Sequence, residues 1–156
     1  TQAVCDVRQS CFASASADEL YSFCVLEHLD NPYELLDEVV RVLKPDGQAF
    51  LRVPNLGTFS AHLDTTHRFL ADLKIWKAMM RGYFHEVKVI PLGTKYRDNR
   101  VLTAINWVLV QIFGFHELAQ GWTFVCQRKR ANPIQAYTGW WQEPSRPARV
   151  DGVAGD

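Results

Sequence analysis

The stretch VLEHLDNPYELLDEVVRVLKPDGQAFLRVPN, residues 25–55, decides how the chain folds. Asn31 is placed to cap a helix that starts at Pro32, where a missing N–H costs nothing. Glu34 follows at the capping-box spacing. Leu35, Leu36, Val39, Val40, Val42 and Leu43 recur at intervals of three and four, so the pattern predicts a helix over residues 32–43 with one apolar stripe. Glu34, Asp37, Glu38 and Arg41 fall on the other face. Pro45 stops the helix, and Asp46-Gly47 supplies a turn that tolerates positive φ. Residues 48–53 read as a short strand closed by Pro54-Asn55, and residues 19–25 as an apolar run of strand length. A strand–helix–strand crossover joins parallel neighbours in one sheet. Ligands in such sheets gather beyond the carboxyl ends of the strands, here around Phe23, Cys24, Glu27 and His28 and around Asn55 and Gly57.

Length and composition set the bounds. The 156 residues suit one domain, and 47% hydrophobic residues are enough for a core. Seventeen basic and 17 acidic side chains cancel, so no basic excess points to nucleic acid or to an anionic membrane. Cys5, Cys11, Cys24 and Cys126 form no C-x-x-C pair, which argues against a zinc knuckle or a disulfide framework. Reduced thiols in a cytoplasmic setting are the plain expectation. The apolar run VLTAINWVLVQIFGF, residues 101–115, is too short and too interrupted by Thr103, Asn106 and Gln111 to span a membrane. A helix apolar on nearly every face is usually buried, so this one is expected to pack against the core or another chain, with a lid over an acceptor pocket as the alternative.

The three motifs VLEHLDNP, LLDEVVRVLKPDG and RVPN resemble, in wording and order, the region after strand four and the strand-five region of class I S-adenosylmethionine-dependent methyltransferases of types 11 and 12. CDVRQ, residues 5–9, resembles the end of that family's strand three. The resemblance implies an α/β, partial Rossmann-like fold with strands four, five, seven and six present, strands six and seven falling near residues 87–92 and 122–128. It implies S-adenosylmethionine as cofactor, with Asp6 accepting from the adenine amine, Val7 offering its N–H to an adenine nitrogen, and the backbone of Phe23 and Cys24 facing the methionine part. Glu27 and His28 would stand on the cofactor side or in the active site, with organisation of their loop as the bland alternative. Some quinone-ring O-methyltransferases resemble E-x-x-E-H here and hold a metal; Cys24 occupies the first Glu position, which departs from that pattern.

HLDTTHRF, residues 62–69, brings His62, Asp64 and His67 within six positions. With no fourth ligand in the pattern it reads as a polar loop entering a helix over residues 70–81, capped by Asp64 or Thr65, and no metal is expected. Similar wording borders the substrate mouth in the resembled family, which makes Asp64 or His67 the candidate general base. No two of the nine glycines stand one residue apart, so the glycine-rich cofactor loop has no counterpart in these 156 residues. The chain is therefore expected to be a C-terminal portion of a methyltransferase: residues 1–130 as part of that domain, residues 131–156 as a flexible tail with Gly139, Trp140 and Trp141 its sticky spot. Methyl transfer to a small-molecule acceptor is the expected activity of the intact protein, with a non-catalytic interaction module as the alternative. Self-association is expected through the exposed edge of residues 19–25 or through the apolar helix of residues 99–115.

Overall fold

A computed structural model describes residues 4–93 and 100–135. Four strands, β1 (Ala17–Phe23), β2 (Leu43–Pro54), β3 (Phe84–Leu92) and β4 (Gly121–Lys129), form one sheet in the order β1-β2-β4-β3. β1 runs parallel to β2, whereas β4 lies antiparallel to both β2 and β3. Helices α1 (Pro32–Val42), α2 (Phe59–Leu63), α3 (Leu73–Tyr83) and α4 (Arg100–Gln111) connect them, with single 3-10 turns at Leu26–His28 and His116–Leu118. The expected strand–helix–strand crossover and the expected order of the four strands are both present.

Local chemistry explains α1. The Asn31 side chain accepts from the Tyr33 N–H at 3.1 Å, Pro32 opens the helix, and Leu35, Leu36, Val39 and Val42 are buried. Along β2, Ala49, Leu51 and Val53 alternate into the same core, which Trp76, Met79, Met80 and Tyr83 of α3 complete. Fully burying a leucine such as Leu36 contributes about 1.5–3 kcal/mol. The opposite face of the sheet carries Phe50 and Arg52: Tyr21 stacks on Phe50 at 4.6 Å, and the Arg52 guanidinium lies 4.4 Å from the centre of the Phe23 ring. Among the described residues β1 pairs only with β2, and Tyr21 and Phe23 remain 56% and 45% exposed. The edge expected to be exposed is exposed.

Several expectations are corrected. β2 starts at Leu43, so α1 runs directly into it, and Asp46-Gly47 is no separate turn. Instead the register jumps: Ala17 pairs with Leu43 and Glu19 with Gln48, a bulge in β2 that Lys44 ties to Asp18 at 2.8 Å. Gly47 is needed there because a Cβ would stand 3.0 Å from the carbonyl oxygens of Ala17 and Asp18, not because of positive φ. Helix α3 begins at Leu73 and is capped by Asp72, whose side chain accepts from the Ile75 N–H at 2.8 Å; neither Asp64 nor Thr65 caps it. Residues 5–9 form no strand but a turn closed by a single bridge between Asp6 and Gln9. The polar face of α1 is partly interior: Glu38 is buried, and Asp37 accepts from the Tyr83 hydroxyl at 2.6 Å.

Helix α4 packs little into the core, one of the placements expected for it. Only Asn106 and Val110 are buried, while Ile105, Trp107, Ile112 and Phe113 stand exposed. No helix among the described residues is long and apolar enough to cross a membrane. Past β4, the Ile134 N–H donates to the Gly82 carbonyl at 2.9 Å, which seats residues 131–135 beside the end of α3. Gly139, Trp140 and Trp141, with the remainder of the predicted tail, lie outside the described residues.

Candidate functional site

β1 ends at Phe23, and the next residue, Cys24, adopts φ 56°. This left-handed step costs a non-glycine residue roughly 1–2 kcal/mol. It also turns the chain off the strand axis while the Cys24 N–H still donates to the Arg52 carbonyl at 3.0 Å. The 3-10 turn that follows drives Leu26 and Glu27 inward, 0% and 1% exposed. Glu27 Oε2 has no hydrogen-bond partner, and burial pushes the carboxyl's pKa up. Cys24, beside Glu27, is likewise shifted up by burial.

The end of β2 supplies the second wall. Asn55 fixes the exit: its amide donates to the Glu117 and Ala119 carbonyls at 2.8 and 2.7 Å, while its Oδ1 accepts from the Gly57 N–H at 2.9 Å. Helix α2 follows, and residues 64–69 return over the 3-10 turn. The Arg68 and Phe69 N–H groups both donate to the Glu27 carbonyl, at 2.7 and 3.0 Å. That docking sets the His67 ring 4.9 Å from the His28 ring. Asp64 accepts from the Thr66 N–H and hydroxyl at 2.9 and 2.5 Å, bonds that lower its pKa, and its Oδ2 lies 3.7 Å from His67 Nε2.

The expected site residues thus do not all meet. Cys24, Glu27, His28, Asp64 and His67 gather at the carboxyl end of β1. His62 is not with them; its Nε2 lies 2.8 Å from the Leu56 carbonyl. Val7 and Phe23 share a second place, a cleft of about 350 Å³ along the outer edge of β1 that Cys5, Leu20, Val25 and Leu35 also line. Asp6 is not part of that lining. Its carboxylate takes the Arg8 guanidinium at 2.7–3.2 Å and the Arg8 N–H at 2.9 Å, and the bonds to Arg8 hold its pKa at about 2.

Set against the implied cofactor, the cleft beside Val7 and Phe23 is lined largely by apolar side chains, as a flat ring system requires, whereas the Asp6 carboxylate lies outside that lining and is already held by Arg8. Pinning of residues 10–14 to α1 by Glu38 and Arg41 was not foreseen from the sequence. The available signal was Glu38 itself, a carboxylate one residue before a core valine.

Comparisons with known proteins bear on the fold. Residues 1–51 match the family model described as a methyltransferase domain. No curated protein matches the chain. A crystal structure of an S-adenosylmethionine-dependent methyltransferase from Archaeoglobus fulgidus is similar with a TM-score of 0.52 at 19% identity, over 76% of this chain and 62% of that one. One from Thermotoga maritima gives 0.57 at 14% identity, over 79% and 61%. Phosphoethanolamine N-methyltransferase 2 of Haemonchus contortus, solved with S-adenosyl-L-methionine, gives 0.50 at 17%, over 83% and 36%. The chain spans about six-tenths of the length of the first two. Residues 1–51 thus match a methyltransferase-domain model, and the four-stranded sheet has the fold of part of the S-adenosylmethionine-dependent methyltransferases it resembles.

Proposed function

We propose that the protein carrying this chain transfers a methyl group from S-adenosylmethionine to a small-molecule acceptor. The observation that carries the reading is the meeting of Glu27, His28, Asp64 and His67 at the carboxyl end of β1, where an open parallel sheet holds its ligand. When bound, S-adenosylmethionine supplies a methyl group already activated by a positive sulfur. The protein's own task is therefore to align the acceptor and exclude water. Asp6 accepts from the adenine amine, the Val7 N–H meets an adenine nitrogen, and the backbone of Phe23 and Cys24 lies along the methionine part. The Asp64–His67 pair takes the proton from the acceptor: the carboxylate faces His67 Nε2 at 3.7 Å, and the ring is held from behind by the Ala61 carbonyl at 2.7 Å. A net charge of zero favours a small acceptor over nucleic acid.

The test is calorimetric titration of S-adenosylhomocysteine into the whole protein and its Asp6→Ala variant. Saturable binding that weakens by roughly 1–2 kcal/mol in the variant supports the reading. Equal affinities in two folded proteins would remove Asp6 from the site, and no binding to the wild type would sink the activity itself. The exposed face of α4 favours the second reading, an interaction module. That reading gains if the protein binds no cofactor yet forms a defined complex.

A further inference from the structure

Glu27, His28 and His67 bring one carboxylate oxygen and two imidazole nitrogens within 4.8 Å of one another. We propose that these three side chains form a binding site for a first-row divalent cation of the zinc(II) type. The donor set does not come from a single sequence motif: His67 lies in a different segment from the other two and is delivered by the docking of residues 68 and 69 onto the Glu27 carbonyl.

The hydrogen-bond network fixes which nitrogens are free. The Ala61 carbonyl can only accept, so His67 Nδ1, 2.7 Å from it, carries the ring proton. That leaves the lone pair on Nε2. Thr66 has one hydroxyl proton, and it is spent on Asp64 Oδ1 at 2.5 Å. The same hydroxyl oxygen, 3.0 Å from His28 Nδ1, therefore accepts, which puts the His28 proton on Nδ1 as well. Both rings keep their Nε2 lone pairs while a carbonyl or hydroxyl holds the opposite side, the arrangement in which histidines bind metals.

Glu27 supplies the second, independent observation. It is 1% exposed, its Oε2 has no hydrogen-bond partner, and a carboxylate oxygen in that position is costly to leave unpaired. Two imidazoles and one carboxylate are the donors of an open zinc site. Bonds of about 2.0–2.2 Å bring such ligands roughly 3.0–3.5 Å apart, so the three side chains would draw in by about 1–2 Å around the ion. Asp64 Oδ2, 3.7 Å from His67 Nε2, stands ready as an outer partner. An ion on His67 Nε2 and proton acceptance by that nitrogen exclude each other. With the ion bound, Asp64 alone takes the acceptor's proton.

The experiment uses the whole protein after treatment with a chelator and needs no cofactor, so its outcome is independent of the methyl-transfer reading. Zinc(II) is titrated by calorimetry, and cobalt(II) by its visible absorption, into wild type, Glu27→Gln, His28→Ala and His67→Ala. One equivalent bound with imidazole-type cobalt bands, and affinity at least about tenfold weaker in each variant, is the expected result. Absence of a stoichiometric site in the wild type overturns the proposal, as does unchanged affinity in His67→Ala. If Glu27→Gln fails to fold, the two histidine variants decide.

Discussion

Arg41 grips Glu38 through hydrogen bonds of 2.6 and 2.7 Å, and the same carboxylate accepts the Ser10 N–H and hydroxyl at 2.7 and 2.5 Å. This joins Ser10 to the back of α1. The Arg41 guanidinium, against the opposing push of burial, holds the Glu38 carboxyl at about 2 instead of its usual 4.5. A carboxyl depressed by folding stabilises above its unfolded value and loses that contribution as pH falls toward its folded one. Stability should therefore drop by roughly 1–3 kcal/mol between pH 5 and 2, on the scale such a shift implies. Glu38→Gln should be weaker at pH 7 and lack this part of the acid dependence. Urea unfolding at several pH values checks it, and parallel profiles for the two proteins would contradict it.

Asn31→Ala tests the start of α1. The side chain accepts from the Tyr33 N–H, a capping bond that alanine removes. A loss of about 1 kcal/mol is expected, with little change in the slope of the denaturant curve.

Gly82→Ala separates the end of the described chain from the body. An added Cβ would stand 2.0 Å from the Ile134 carbonyl oxygen, so residues 131–135 cannot stay seated. Alanine favours the helix itself by roughly 0.5–1 kcal/mol. Hydrogen exchange should show lost protection at the Ile134 N–H while α3 remains protected. Retained protection at Ile134 would mean that the two segments do not meet.

Phe23→Glu tests the edge of β1. An exposed apolar edge without lysine or proline templates pairing with another chain. The carboxylate would face Arg52 and break that pairing, so sedimentation should move from associated toward monomeric. Wild type that is already monomeric, or association unchanged by the substitution, would clear β1 of the role.

What the sequence disclosed follows from how local each determinant is. The α1 cap, its stripe and the alternation of Ala49, Leu51 and Val53 are written within a few residues, and they were legible. The bulge at Lys44–Gly47 was not, because it depends on two carbonyls of another strand. The start of α3 was misjudged because four acidic or hydroxyl residues, Asp64, Thr65, Thr66 and Asp72, precede the same apolar run, and only the fold selects Asp72. Hydropathy described the composition of α4 but not what packs on it. Glu27, His28, Asp64 and His67 were recognisable one by one. Their meeting rests on two N–H groups finding one carbonyl, a contact that leaves no mark in residue type.

That carbonyl belongs to Glu27, whose main chain anchors residues 66–69 while its side chain faces the two imidazoles. Every amino acid offers the same carbonyl. The main-chain anchor of the pocket is therefore indifferent to the residue type at position 27, while the carboxylate there is one of the groups that set its chemistry. A substitution at this position can alter what the pocket binds and leave the returning loop docked.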